Sequence, residues 1–321
     1  MRPRHVLILT ALVIAALGIG LFVAFQKDLH AHQQRISIGS RVLDSGCGPI
    51  EFAEAGSGTP LLMIHGTGGG FDQGMLAGQD FADRGLRVVA PSRFGYLRSP
   101  YPTDASAEAQ ADQFACLLDE LGIARTAVAG VSAGANSAMQ FAIRHPERTS
   151  ALILLVPAAY KPADVAASAS KLSPIAEKML TSLVTSDFVF WVTARFAEET
   201  AVRMVLATPP EVFRAASPED KARARVLLNR IMPISARIKG MLNDHRISGN
   251  PTRYKLEAIR APTLVISARD DLFGTYASAQ YTAQHIASAR FIGFENGGHV
   301  WLGHHREIVE ETTAFVRNAA R

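Results

Sequence analysis

A serine stands between two glycines in the segment GVSAG, residues 130–134. An apolar run, TAVA (126–129), precedes the segment and predicts a strand, and a helical pattern follows it. A G-x-S-x-G turn between a strand and a helix holds its serine hydroxyl above the carboxyl end of the strand. A hydroxyl in that position becomes a nucleophile when a base lies within hydrogen-bonding reach. Ser132 is therefore the candidate nucleophile, and the alternative is a simple helix N-cap.

A histidine suited to act as that base lies in ENGGHVWLG (295–303). His299 follows two glycines in a loop after the last predicted strand, so the loop can bring its imidazole towards a serine at another strand end. His304 and His305 begin a helical pattern and are expected on its solvent-exposed face. The sequence therefore indicates His299 as the general base.

Two consecutive aspartates, Asp270 and Asp271, follow the apolar run APTLVISA (261–268). An imidazole that becomes charged during a reaction needs a carboxylate on its other ring nitrogen, which holds the correct tautomer. A strand end is the expected place for this carboxylate. By residue type and position alone, either aspartate could supply it.

A glycine cluster, HGTGGG (65–70), follows another short apolar run. Backbone N–H groups exposed in such a loop can bind the oxyanion of a tetrahedral intermediate. The predicted donors are the N–H of Ala133 and that of Thr67, with Gly68 as an alternative to Thr67. A phosphate-binding loop is disfavoured because neither a P-loop nor a dinucleotide-binding pattern is present. His65 is expected to hold the loop in place.

Strands and helices alternate on both sides of a helical block. The predicted strands are residues 35–44, 49–56, 60–65, 86–91, 126–131, 150–157, 262–268 and 289–294. This alternation predicts a mostly parallel sheet covered by helices on both faces. Residues 158–250 have an almost wholly helical pattern, with main segments at 182–196 and 217–242. They are interpreted as a helical cap inserted into a core of residues 35–157 and 251–321.

Together, HGTGGG, GVSAG, APTLVISARDD and GGHVWLGHHREIVEETTAFV resemble the α/β-hydrolase superfamily over about residues 40–320. The order serine, aspartate, histidine is the order of that family. The resemblance implies an α/β-hydrolase fold with an α-helical cap after strand six and a triad of Ser132, Asp271 and His299. It selects Asp271 because the family pattern is G-x-x-D, with Ala268 here at the glycine position. Asp270 is then expected to cap the following turn or to meet solvent.

One departure from the family pattern lies at PSRFGYLRS (91–99), where relatives commonly read D-x-x-G-x-G-x-S. Ser92 stands at the usual aspartate position, and Tyr96 follows Gly95. We interpret this as a local variation of the loop.

The resemblance implies a serine hydrolase that cleaves a carboxylic ester or a similar acyl bond through an acyl-enzyme. Ser132 disfavours dehalogenases and epoxide hydrolases of this superfamily, which use an aspartate nucleophile. The alternatives are a lactonase, a carbon–carbon hydrolase of dienone-type compounds, a cofactor-free perhydrolase, a non-catalytic binding protein or a membrane-anchored scaffold. The cap contains large apolar residues that could line an apolar substrate pocket or form the core of the cap, namely Phe188, Phe190, Trp191, Phe196 and Met204.

The charge balance and the cysteine content indicate which classes of binding partner are not expected. The 33 basic and 29 acidic residues form no long basic run, so nucleic acid is not expected as a partner. No cofactor or metal is expected, because Cys47 and Cys116 lie outside CxxC and zinc-ligand spacings. Cys116 falls in an amphipathic helical segment (110–123) and is interpreted as a core thiol, with a disulfide to Cys47 as the alternative in an oxidising compartment.

Residues 6–25 carry no charge and are long enough, at about 30 Å as a helix, to cross a bilayer. A secretory signal has a shorter apolar region, so the pattern favours an uncleaved anchor over export of a soluble protein after signal cleavage. Residues 1–5 are expected in the cytoplasm, 26–34 as a linker, and the catalytic domain outside the cytoplasm. A chain of residues 33–321 is expected to be soluble and active.

Overall fold

The computed structural model describes residues 3–162, 185–249 and 251–320. Its strands are β1 (Arg41–Ser45), β2 (Gly48–Ala55), β3 (Thr59–Ile64), β4 (Leu86–Pro91), β5 (Thr126–Val131), β6 (Thr149–Leu155), β7 (Thr263–Ala268) and β8 (Ala289–Phe294). They form one sheet in the order β1-β2-β4-β3-β5-β6-β7-β8. The β1–β2 and β2–β4 pairs are antiparallel and the other pairs are parallel. The predicted fold class, a mostly parallel α/β sheet, is confirmed.

Helices cover both faces of this sheet. The helices of the described residues are α1 (Pro3–Ser37), α2 (Phe71–Ala82), α3 (Ala107–Glu120), α4 (Gly134–Arg144), α5 (Asp187–Phe196), α6 (Glu198–Val205), α7 (Pro210–Ala215), α8 (Pro218–Ile231), α9 (Ile238–Gly249), α10 (Thr275–Gln284) and α11 (His305–Ala319). Leu62 of β3 packs with Phe114 of α3 on one face, whereas its neighbour Met63 lies in the cluster of Val316 of α11 on the other. Because successive strand side chains alternate between faces, a strand buried on both sides is an unbroken apolar run.

In the described part of the segment between β6 and β7, helices α5 to α9 pack in a separate apolar cluster, which also contains Phe25 of α1 and Val300 and Leu302 of the loop after β8. Phe190 and Trp191 are buried in this cluster, so they contribute to the core of the cap. Residues 163–184 of the proposed cap lie outside the described residues. The segment 217–242, expected as one helical stretch, divides into α8 and α9 at Pro233, since proline lacks a backbone N–H and disfavours helix in the residue before it.

The N-terminal helix is longer than the sequence pattern indicated. Helix α1 runs without interruption through residues 26–34, which were expected as a linker, and β1 begins only at Arg41. These residues include no glycine or proline, so nothing in their backbone chemistry ends the helix. Within residues 9–37, α1 contains an 18-residue stretch with a mean hydropathy of 2.2, so the helix is long and apolar enough to cross a membrane.

The end of α1 docks on the cap. Phe25 is only 6% exposed, while Phe22, one turn earlier, is 55% exposed. The indole N–H of Trp191 donates to the Asp28 carboxylate at 2.8 Å. Arg35 pairs with the buried Asp72 of α2 and donates to a backbone carbonyl of the cap. The polar residues that follow the apolar run are therefore part of a docked helix.

Asp72 of α2 also joins the cap to the core. Arg237, which is fully buried, donates through its two terminal nitrogens to Asp72 at 3.1 and 2.9 Å. Burial alone would raise the pKa of Asp72, but Arg237 and Arg35 lower it below its ordinary value. The carboxylate thus stays ionised between two cations.

Cys47 and Cys116 are joined by a disulfide in the structure, with their Cα atoms 6.0 Å apart. The interpretation of Cys116 as a free core thiol is therefore wrong. The pairing was hidden because 69 residues separate the two cysteines, and only the folded chain brings the turn between β1 and β2 against α3.

The docking of α1 moves the expected boundary of a stable truncated domain. We expect a chain that begins at residue 21 to retain the stability of the catalytic domain, whereas a chain that begins at residue 33 loses about 2.5–6 kcal/mol. Losing the burial of Phe25 costs about 1.5–3 kcal/mol, and leaving the Trp191 indole without its acceptor costs about 1–3 kcal/mol. Urea unfolding of both chains measures the difference, and equal midpoints would show that the docked segment does not stabilise the cap.

Candidate active site

Ser132 follows β5 directly and has a φ of 51°, in the left-handed region that residues other than glycine seldom occupy. The flanking glycines explain how the turn is accommodated. A Cβ at Gly130 would lie 2.7 Å from the Cβ of Ala138, and one at Gly134 would lie 2.4 Å from the carbonyl oxygen of His65. Only glycine lets strand, helix and neighbouring loop approach so closely, and the serine is thereby held at the strand end.

Asp271 and His299 form a hydrogen-bonded pair, with 2.8 Å between Oδ2 of the carboxylate and Nδ1 of the imidazole. Asp271 follows β7, and it also accepts hydrogen bonds from the N–H of Phe273 at 2.9 Å and from the Thr275 hydroxyl. Burial alone would raise the pKa of Asp271, but the charge of His299 and these hydrogen bonds lower it below its ordinary value. An ionised carboxylate therefore faces the nitrogen it would have to orient.

The sheet order brings the three side chains to one edge. Ser132 follows β5, Asp271 follows β7 and His299 follows β8, and β5 to β8 are parallel neighbours. Among the described residues, the structure forms the Asp271–His299 bond but no hydrogen bond from the Ser132 hydroxyl to His299. In enzymes without a bound substrate such a contact is often long and tightens in the complex.

Asp270 does not cap the turn that follows it. Its carboxylate oxygens accept hydrogen bonds from the N–H groups of Gly297 and Gly298, at 3.2 and 2.8 Å. The side chain therefore anchors the loop that carries His299. The expectation that it caps the following turn is wrong, whereas the residue is half-buried and so still partly meets solvent. The two consecutive aspartates differ in role because one contacts the imidazole and the other contacts the backbone that precedes it.

The glycine loop lies beside the serine, since a Cβ at Gly66 would be 3.2 Å from the Cβ of Ser132. The N–H of Gly68 donates to the Tyr96 hydroxyl at 3.3 Å. In the part of the chain that the structure describes, the N–H groups of Thr67 and Ala133 have no hydrogen-bond acceptor. This favours Thr67 over Gly68 as the partner of Ala133 in an oxyanion hole.

A buried carboxylate of the cap supports this loop. The carboxylate of Asp244, on α9, accepts hydrogen bonds from both terminal nitrogens of Arg93, at 2.5 and 2.6 Å. It also accepts hydrogen bonds from the Tyr96 hydroxyl at 2.5 Å and from the Thr67 hydroxyl at 3.0 Å. Burial alone would lower the pKa of Arg93, but the Asp244 carboxylate raises it above its ordinary value, so the pair is ionic. The loop 91–99, which departs from the family pattern, thus contributes the Tyr96 hydroxyl as a hydrogen-bond donor to this network.

No sequence pattern indicates that role of Asp244, which lies in a cap helix without a motif. Asp244 could be considered as the triad acid in place of Asp271. Its carboxylate oxygens, however, already accept hydrogen bonds from Arg93, Tyr96 and Thr67. Glu295, a second substitute, is exposed and pairs with Arg269 at 2.9 Å. Neither carboxylate contacts His299.

His65 is part of the scaffold of the glycine loop. Its Nε2 accepts the N–H of Arg93 at 3.0 Å, and its Nδ1 donates to the carbonyl oxygen of Gly66 at 2.7 Å. Burial and the nearby cation of Arg93 lower its pKa well below the ordinary value, so the ring is neutral. Both ring nitrogens are occupied, in agreement with the expected supporting role.

Replacing Asp244 by asparagine is expected to lower the free energy of unfolding by about 3–5 kcal/mol, because it leaves the charge of Arg93 buried and unpaired. Glu198→Gln is the matched control, since it breaks the exposed Glu198–Arg225 pair of the same cap and should cost less than about 1 kcal/mol. Urea unfolding measures both. Equal small losses would show that the buried network does not hold the cap on the core.

Residues 59–303 match the family model described as alpha/beta hydrolase fold. The chain belongs to the α/β-hydrolase fold family. This α/β hydrolase is 35% identical over 130 residues to 2-hydroxymuconate semialdehyde hydrolase of Pseudomonas putida, which covers 40% of this chain and 46% of that protein. The match therefore spans about half the length of that relative.

Solved structures share the fold over more of the chain. An alpha/beta hydrolase fold protein from Nakamurella multipartita has a TM-score of 0.69 and 24% identity, and covers 88% of this chain and 100% of its own. A membrane phospholipase A, described as a bacterial virulence factor, has a TM-score of 0.59 and 22% identity, and covers 99% of both chains. At these identities the likeness concerns the fold.

Proposed function

We propose that this α/β hydrolase is a serine hydrolase that cleaves a carboxylic ester or a similar acyl bond. The observation that carries the proposal is the placement of Ser132, in a left-handed turn between β5 and α4, on the same sheet edge as the bonded pair of Asp271 and His299. That combination provides a nucleophile, a base and a group that orients the base.

In the proposed mechanism the Ser132 hydroxyl attacks the carbonyl carbon of the substrate while His299 removes its proton. Asp271 holds the imidazole and stabilises its positive charge. The N–H groups of Thr67 and Ala133 bind the oxyanion, which lowers the barrier because the charge develops there. His299 then protonates the leaving alcohol, and the Ser132 acyl-enzyme is hydrolysed by water that His299 activates in turn.

The substrate class we propose is a small, apolar ester. Leu272 and Phe273 follow the catalytic acid and are 48% and 52% exposed, and the Phe273 ring lies edge-on to His299 with 4.9 Å between the ring centroids. An apolar group of a substrate can cover these side chains and exclude water from the imidazole.

The proposed location is a membrane, with residues 6–25 as the anchor and the catalytic domain outside the cytoplasm. The apolar helix supports anchorage. The Cys47–Cys116 disulfide supports an oxidising compartment, because disulfides persist there and are rare in the cytosol. Cleavage as an export signal is disfavoured by the docking of Phe25 and Asp28 on the cap.

Cleavage of a carbon–carbon bond is the second candidate. It is favoured by the similarity to 2-hydroxymuconate semialdehyde hydrolase, whose name identifies a semialdehyde substrate. The same serine, histidine and oxyanion donors could act on a carbonyl carbon in either reaction, so the substrate must decide between the two.

A panel of chromogenic esters with varied acyl chains, assayed beside 2-hydroxymuconate semialdehyde, tests the proposal. We expect turnover of esters, with a preference for apolar acyl groups, and loss of that turnover in Ser132→Ala. Turnover of the semialdehyde with no ester hydrolysis would establish the second candidate instead. Absence of turnover on every member, together with no reaction with an acylating probe, would contradict both.

A further inference from the structure

Helix α5 of the cap exposes an apolar stripe to solvent. Phe188 is 39% exposed, Val189 36% and Phe196 65%. Phe188 and Phe196 are eight residues apart, a spacing that places them on one side of a helix. The neighbouring Phe190 and Trp191 of α5 are buried. Exposed aromatic and aliphatic side chains grouped beside a membrane span indicate contact with an apolar partner.

The position of α5 along α1 identifies that partner. The Phe25 ring packs against Phe188 and Trp191, with 5.2 and 5.7 Å between ring centroids. Phe25 is the last apolar residue before the polar Gln26 and Lys27, so this contact lies where the helix leaves the hydrocarbon of a bilayer. The exposed stripe of α5 is thus at the height of the bilayer surface.

We propose that the α5 face, formed by Phe188, Val189 and Phe196, rests on the lipid surface and inserts into the boundary between headgroups and acyl chains. The inference rests on the proposed anchorage through residues 6–25. Burying these side chains in lipid removes apolar area from water, and an interfacial helix is expected to sink about 5–10 Å into that boundary.

The charges around the α5 face fit this placement. Arg195 is 58% exposed and lies over the Trp191 ring, with 5.6 Å between its guanidinium carbon and the ring centroid. The Asp28 carboxylate contacts both side chains: it accepts the indole N–H of Trp191 and lies 3.7 Å from the Arg195 guanidinium. Arginine side chains near the end of a membrane span extend towards the interface, so the Arg195 guanidinium can meet lipid phosphates there.

The opposite end of the docked helix provides a reference position. From Phe25 to Ser37, α1 continues for 12 residues, a rise of about 18 Å along its axis. Val42 in β1 comes after that end and is 43% exposed. A bilayer that reaches the α5 face should therefore leave Val42 in water.

The cap connects the α5 face to the catalytic loops through one apolar cluster. Phe25, Ile231 and Val300 all belong to it. The Ile231 side chain lies 3.3 Å from the position of a Cβ at Gly68, and Val300 directly follows His299. Lipid contact at α5 would thus act on the same packed unit that borders both catalytic loops.

Site-directed nitroxide labelling of the full-length chain tests the proposal. Phe196→Cys, with Val189→Cys as a second position, is labelled and placed in vesicles of phosphatidylcholine and phosphatidylglycerol. Val13→Cys in α1 and Val42→Cys serve as the lipid and water references. Electron paramagnetic resonance then compares how often each label collides with oxygen, which concentrates in lipid, and with a water-soluble nickel chelate.

We expect the labels at 196 and 189 to be shielded from nickel and open to oxygen, like the label at 13 and unlike that at 42. Labels as open to nickel as the one at 42 would overturn the proposal while leaving the anchor intact. Labels shielded from both reagents would also overturn it, because they would indicate a protein partner such as a second copy of the chain. A nickel-accessible label at 13 would instead remove the anchorage on which the proposal rests.

Discussion

Replacing Ser132 by alanine is expected to leave a folded protein whose rate of ester hydrolysis falls by up to about a million-fold. The nucleophile is lost, and what remains is the contribution of binding and of the oxyanion donors. Initial rates on one chromogenic ester, measured at saturating substrate, determine the loss. Circular dichroism of the variant shows that the fold is kept.

The matched control is Ser137→Ala in the helix that follows. Ser137 is also buried, but its hydroxyl donates to the carbonyl oxygen of Gly134 at 3.2 Å and lies outside the proposed mechanism. Its replacement should change the rate by less than about tenfold, because one hydrogen bond is worth about 0.5–1.5 kcal/mol. Similar losses in both variants would indicate that damage to the turn, and not loss of the nucleophile, causes the effect.

Replacing Asp271 by asparagine is expected to reduce turnover by about ten-thousandfold. In the wild-type protein the Asp271 carboxylate accepts a hydrogen bond from Nδ1 of His299. The amide of an asparagine can instead present its N–H₂ group to that nitrogen and favour the wrong tautomer. The same variant should keep its secondary structure by circular dichroism. Turnover is measured on the ester used for Ser132→Ala.

The neighbouring change Asp270→Asn is the control for this effect. It keeps one carbonyl acceptor for the Gly297–Gly298 loop and leaves the imidazole pair untouched, so we expect a loss of about tenfold or less, the cost of one hydrogen bond. A larger loss for Asp270→Asn than for Asp271→Asn would reverse the assignment of the acid. Near-wild-type rates in both would place the orienting group elsewhere.

The part of the site that rests on local chemistry could be predicted from the sequence. The serine turn depends on residues within five positions of one another, and the two glycines that make it possible are visible in the chain. The strand pattern was equally local, because a strand buried on both faces needs an unbroken apolar run. The choice between Asp270 and Asp271 was not local, and it required the family resemblance.

The features that escaped prediction depend on contacts between distant parts of the chain. Asp244 and Arg93 are 151 residues apart, and nothing near either one marks them as partners. The polar residues after the apolar run resemble a linker in composition, although Asp28 among them bonds to Trp191 of the cap, as Phe25 just before them packs on it. Helix length and cap attachment were therefore set by tertiary packing that no local pattern records.

The most direct test of the central claim is the mass of the protein after incubation with a fluorophosphonate, a reagent that phosphonylates an activated serine. The proposed mechanism predicts one adduct per chain, located on the peptide that contains Ser132 and absent from Ser132→Ala. It also predicts that labelling slows sharply in Asp271→Asn. An unmodified wild-type protein, or an adduct retained by Ser132→Ala, would contradict the claim that Ser132 is the nucleophile of a serine hydrolase.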